Sequence, residues 1–222
     1  MKKRVLVVAP HPDDETLGAG GTIAKFSAQG DEVFVLMVSG HLPPLYSRED
    51  YEITVSEAYS AFDLLGVAKS EFLEIPATMI GDQPLHEFNG RISEIVNKFN
   101  PQMVFCPYPD RHIDHRLVFD SLMVATRPVS ITKDIGILAA YETLSETHWN
   151  APHIEPNFTP NWVIDITEHI EKKLDALKCY KSQLSDFPGP RSIEAVEALA
   201  KFRGTQAGFG YGEGLHIVRM IS

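Results

Sequence analysis

VLVVAPHPDDETLGAGG, residues 5–21, runs from a buried strand through a polar cluster into a helix. Val5–Ala9 is an uninterrupted apolar run rich in β-branched residues, the mark of a strand covered on both faces. His11, Asp13, Asp14 and Glu15 follow within five positions. Carboxylates crowded at the end of a strand repel one another, so the cluster calls for a compensating partner, and a bound cation is the obvious one. Residues 15–29 then read as a helix that stops at Gly30.

The same alternation continues outward. Val33–Val38, Phe72–Ile75, Met103–Cys106, Ile135–Tyr141 and Trp162–Ile166 read as strands. Tyr51–Leu65, Leu85–Phe99, 116–126 and 192–202 read as helices, and Ile170, Leu174, Leu177 and Tyr180 form the apolar stripe of another. Residues 39–50 and 146–161 read as loops because proline interrupts them. Alternating strands and helices predict an α/β fold: a Rossmann-like, mainly parallel sheet with helices on both faces. No repeat or linker divides the chain, so residues 1–222 are expected to form a single domain. In such sheets ligands bind beyond the carboxyl ends of the strands, where strand order reverses. In the common doubly wound order that crevice lies between strands one and four. The opening polar cluster follows strand one, and DRHIDH, residues 110–115, follows strand four. Two clusters about a hundred residues apart are therefore expected to meet, which puts the active site at the C-terminal ends of those strands.

The net charge of −10 argues against nucleic acid or an anionic membrane as partner, since both reward clustered Lys and Arg. Lys2-Lys3-Arg4 resembles the start of a signal peptide, but Pro10 cuts the apolar run behind it far short of a signal core or a membrane span. The expected compartment is the cytoplasm. With two cysteines, Cys106 and Cys179, the composition argues against a disulfide scaffold, and both read as small hydrophobes.

His11 and Asp14 on one loop, with His115 from the other, supply two imidazoles and a carboxylate. That is a catalytic zinc set with a fourth position left for water, and iron(II) accepts the same donors. Zinc lowers the pKa of bound water to about 7. Asp13 is placed to take the water's proton. His112 is placed to protonate the leaving group or to stabilise an oxyanion, and Asp114 to orient an imidazole. Taken alone, Asp13–Glu15 also fits simple capping of the following helix. Gly18-Ala19-Gly20-Gly21 lacks the dinucleotide spacing and falls inside the helix, so it reads as close helix–sheet packing. His41 and Tyr141-Glu142 are further crevice candidates, Trp149 reads as a loop anchor or else an exposed platform for a sugar ring, and the loop 39–50 is placed to act as a lid.

APHPDDE at 9–15 and DRHIDH at 110–115 resemble the motifs of the PIG-L/LmbE-like deacetylase superfamily, as do LGV at 65–67 and DITEHIEKKLDALKCYKSQ at 165–183. The resemblance implies a zinc-dependent enzyme that removes the N-acetyl group from an N-acetylglucosamine unit. It implies His11, Asp14 and His115 as metal ligands, Asp13 as base, His112 as acid or oxyanion partner and Asp114 as its support. It also implies a small amino-sugar substrate and often a homo-oligomer. This chain departs from the pattern in three places. Pro10 precedes His11, Asp110 stands where the mycothiol-pathway branch has tyrosine, and no arginine sits near Glu57, with Arg48 the nearest substitute. Glu213 is a candidate for the crevice wall. The rival readings are a metal-dependent esterase or phosphoesterase and a non-catalytic nucleotide-binding module. Phosphoryl transfer commonly uses two metals and nucleotide binding a glycine fingerprint, and neither is evident.

Overall fold

The computed structural model of the chain describes residues 2–151 and 153–221. The elements follow one another as β1 (Arg4–Ala9), α1 (Asp14–Ala28), β2 (Glu32–Gly40), α2 (Arg48–Leu65), β3 (Lys69–Pro76), α3 (Leu85–Phe99), β4 (Met103–Pro107), α4 (Ile113–Ala125), β5 (Ile137–Tyr141), α5 (Leu144–Thr147), β6 (Trp162–Asp165), α6 (Ile170–Leu177), α7 (Ile193–Thr205) and β7 (Gly212–Met220). Among the described residues the strands form one seven-stranded sheet in the order β3-β2-β1-β4-β5-β7-β6. β1 to β5 run parallel, and β7 runs antiparallel to both β5 and β6. Strand order reverses at β1, where Val7 pairs with Val35 of β2 on one side and Phe105 of β4 on the other. The predicted α/β class and the crevice beyond β1 and β4 follow from this topology.

β1 is buried on both faces because its residues alternate between two cores. Val5, Val7 and Ala9 pack under α1, α2, α6 and α7. Leu6 and Val8 pack under α3 and α4. Each fully buried Val or Leu contributes about 1.5–3 kcal/mol, so the strand that ends in the polar cluster is firmly anchored. α1 lies unusually close to the sheet. A Cβ at Gly18 would collide with the Tyr141 ring, and one at Gly21 would sit 2.7 Å from Ile166. The small residues of α1 therefore serve packing rather than phosphate binding.

Several boundaries differ from the sequence expectation for identifiable reasons. α2 starts at Arg48 because Ser47 and Asp50 form a capping box, each accepting the other's backbone N–H at 3.0 Å. α4 starts at Ile113 because His112 caps it, its Nδ1 accepting from the Asp114 N–H at 3.2 Å. The segment expected as a loop over 146–161 contains the end of α5, and its residue 152 lies outside the described residues. β7 was not expected at all. Its glycines dilute the strand signal, although it fills the gap between β5 and β6.

Candidate metal centre and catalytic residues

The turn after β1 closes on itself. The Asp14 N–H donates to the His11 carbonyl at 3.2 Å, and the His11 N–H donates to Asp14 Oδ2 at 3.0 Å. The same Oδ2 lies 3.1 Å from His11 Nδ1 and 3.3 Å from His115 Nε2. Asp14 is the first residue of α1, and His115 lies in the first turn of α4. The two sequence clusters thus face one another beyond the ends of β1 and β4, with Asp14 between the two imidazoles.

Each imidazole gives its other nitrogen to a second carboxylate. His11 Nε2 lies 2.8 Å from Asp114 Oδ2, which also accepts the Thr78 N–H at 2.7 Å. His115 Nδ1 lies 3.0 Å from Asp110 Oδ2, which also accepts from the Thr147 hydroxyl at 2.8 Å. Carboxylates placed behind metal-ligating imidazoles fix the ring and raise its basicity. His115 Nε2 is buried and has no hydrogen-bond partner among the described residues. An orphaned nitrogen of this kind, beside His11 Nδ1 and an Asp14 oxygen, fits a divalent metal. His112 stands at the same point: ligand atoms of His11, His112 and His115 all lie within 4.8 Å of one another. The donor set suits zinc, and iron(II) as well.

The electrostatics favour positive charge here. Burial opposes protonation of His11, but hydrogen bonds to Asp114 and Asp14 outweigh it and raise its pKa to about 9. Burial likewise opposes His115, which Asp14 and Asp110 raise to about 10. His112 goes the other way. Burial and the neighbouring His11 and His115 charges lower it to about 4. With its Nδ1 accepting from the backbone, neutral His112 carries its proton on Nε2.

Asp13 is buried. Its Oδ2 lies 3.2 Å from Arg191 Nε, in the segment between α6 and α7. Burial pushes its carboxyl well above the usual carboxylate range, against the pull of Arg191. Glu15 is fully buried and accepts from Tyr180 Oη at 2.6 Å and from the Asp13 N–H at 3.3 Å.

Other candidates fall elsewhere. Glu142 pairs with Arg203 at 2.6 Å and His148 at 2.8 Å, and Tyr141 Oη donates to the Val8 carbonyl at 2.8 Å. Glu213 pairs with Lys173 at 2.5 Å inside the protein. Arg48 bridges to Glu74 at 3.0 Å, and Glu57 accepts from Ser182 at 2.6 Å. His41 packs against Tyr46 at a tilt, with ring centroids 4.3 Å apart. Trp149 is exposed, with the Arg111 guanidinium 5.8 Å from its ring. Cys106 is buried, with its thiol pushed up by burial. Two residues of the site escaped the sequence reading. An acid five positions before His115, behind a strand, was a usable signal for Asp110. Arg191, in a Pro/Gly-rich loop, offered none.

Residues 6–126 match the family model "PIG-L: GlcNAc-PI de-N-acetylase". The chain is 27% identical to the diacetylchitobiose deacetylase of Thermococcus kodakarensis, over 97% of this chain and 83% of that protein. The fold is similar to that of N,N'-diacetylchitobiose deacetylase from Pyrococcus horikoshii, with a TM-score of 0.76 and 28% identity, covering 97% of this chain and 84% of that one. It is also similar to GalB, the 4-carboxy-2-hydroxymuconate hydratase of Pseudomonas putida KT2440, with a TM-score of 0.80 and 22% identity, covering 100% and 98% of the two chains. That last likeness concerns the fold alone, and the side chains of the site have to decide the chemistry. Among the described residues no helix is long and apolar enough to cross a membrane.

Proposed function

The chain belongs to the PIG-L family, and on that premise we propose that it hydrolyses the N-acetyl group of an N-acetylglucosamine-type amino sugar at a zinc centre. The observation that carries this reading is the pair of imidazoles, each backed by its own carboxylate, with Asp14 between them. His11, Asp14 and His115 would hold the ion. When bound, it supplies Lewis-acid polarisation of the amide carbonyl and a more acidic water. Asp110 and Asp114 keep the two imidazoles in register for it.

The remaining chemistry belongs to side chains. Asp13 accepts the proton of the attacking water as its oxygen bonds to the amide carbon. The His112 Nε2–H donates to the carbonyl oxygen as negative charge gathers there. The C–N bond then breaks, the proton held on Asp13 passes to the sugar nitrogen, and the free amine leaves with acetic acid, which gives its proton to solvent and becomes acetate.

Amine release from N-acetylglucosamine, its disaccharides and its conjugates tests the reading. Amine should appear, vanish with a chelator and return with zinc. Asp13→Asn should lose turnover while retaining metal. Loss of the metal in that variant would assign Asp13 as a ligand instead. A chain that binds no metal would sink the mechanism, and two metals per chain would favour phosphoester chemistry.

A further inference from the structure

We infer that Arg191 is a positioning residue that sets the carboxylate of Asp13 for proton transfer. The inference rests on the reading of Asp13 as the base. Asp13 occupies φ 110° and ψ −28°, a conformation costly for a residue with a side chain. Its backbone is held there from both sides. The N–H donates to Glu15 Oε2 at 3.3 Å, and the carbonyl accepts from the Thr16 N–H at 3.0 Å and the Leu17 N–H at 2.8 Å. The side chain has no such support. Asp13 Oδ2 is buried without an aligned hydrogen bond among the described residues, and so is Arg191 Nε, 3.2 Å away. A close but misaligned contact between two buried polar atoms is typical of catalytic pairs before substrate tightens them.

The segment that brings Arg191 is itself anchored at both ends to the acidic motif. Tyr180 begins it and donates to Glu15. Arg191 ends it and meets Asp13. Arg191 directly precedes Ser192, whose hydroxyl caps α7 by accepting the Ala195 N–H at 3.2 Å, and the Arg191 carbonyl accepts from the Ser185 N–H at 3.4 Å. The backbone at 191 is therefore fixed, and the guanidinium reaches inward from a side chain one-third exposed. By occupying Oδ2, it leaves Oδ1 as the oxygen that receives the proton. Arginine suits the task because its planar fork holds an orientation that a flexible ammonium does not.

The experiment compares Arg191→Gln and Arg191→Lys with the unaltered enzyme, on the best substrate of the amine-release panel. Metal content and melting temperature are followed alongside. For Arg191→Gln, kcat should fall about 10- to 100-fold, with KM within about twofold and the metal retained. Arg191→Lys should recover part of the loss. Adding Arg191→Gln to Asp13→Asn should cost nothing further, because the partner is already gone. Unchanged kcat, a raised KM at full kcat, or an additive double variant would each overturn the role. An active Asp13→Asn would instead sink the base assignment and this inference with it. An inactive Asp13→Asn beside a fully active Arg191→Gln would remove only the inference.

Discussion

Lys173 and Glu213 beside the middle of α1, and His11, Asp14, Asp110, Asp114 and His115 at its start, are two buried ionic clusters on a single helix. The first is closed. Lys173 Nζ donates to Glu213 Oε1 at 2.5 Å and to the Leu17 carbonyl at 2.8 Å, and Glu213 accepts the N–H groups of Gly21 and Thr22 at 2.9 and 2.7 Å. The pair reaches into the backbone of α1 itself, where the small residues let it approach. The second cluster is open. His115 Nε2 and Asp114 Oδ1 are buried without hydrogen-bond partners among the described residues. Buried charges that saturate one another hold a fold together. A buried imidazole nitrogen left unpaired beside other donor atoms is open to a ligand.

The sharpest way to break this contrast is to treat the two clusters separately. Chelation should cut amine release more than a thousandfold, the several kcal/mol a Lewis acid supplies. Re-addition of zinc should restore it. If activity survives a chelator that strips all metal, the open cluster is not a metal centre.

Next in size, Lys173→Met should destabilise the chain by about 3–5 kcal/mol in urea, because Glu213 is left charged and buried without its cation. The double variant Lys173→Met/Glu213→Gln should regain most of that. Turnover per folded molecule should stay near that of the unaltered enzyme, and a large loss in kcat would show that the closed cluster reaches the chemistry.

Asp110→Asn should weaken metal binding about 10- to 100-fold with little change in stability, measured by competition with a chromophoric chelator. Equal metal affinity would leave Asp110 with a purely structural role. Smallest of all is the backbone effect at Asp13. Asp13→Gly should be more stable than Asp13→Ala by about 1 kcal/mol, reversing the ordinary order, because glycine accepts a positive φ. Both variants lack the carboxylate, so electrostatics cancel, and melting temperatures should differ by about 2–4 °C.

The parallel half of the sheet was legible because a strand buried on both faces writes itself as an apolar run, as Val5–Ala9 and Met103–Cys106 do. β7 was not legible, since Gly212 and Gly214 start it and its second half is partly exposed. The cluster residues His11, Asp14, His112, Asp114 and His115 stood out as polar groups packed behind strands. Glu213 stood out too, but for the wrong reason, since its partner is Lys173 in the closed cluster. The role of Asp110 depends on which nitrogen of His115 it meets, and that is a matter of rotamer rather than composition. Arg191 meets Asp13 only because α6 packs on α1 and the segment after it returns to the acidic motif, a placement no local pattern records.

The distribution of the site along the chain also bears on how the molecule acquires its activity. His11 and Asp114 touch across 103 positions, and Arg191 arrives later still. Contacts this distant must overcome the entropy of closing long loops before they contribute anything. During synthesis, β1 waits for β4 to emerge before its polar end has a second wall, and the acidic motif waits for residues 180–191 before it is gripped. Competence for catalysis should therefore be among the last properties to appear on refolding, trailing the recovery of secondary structure.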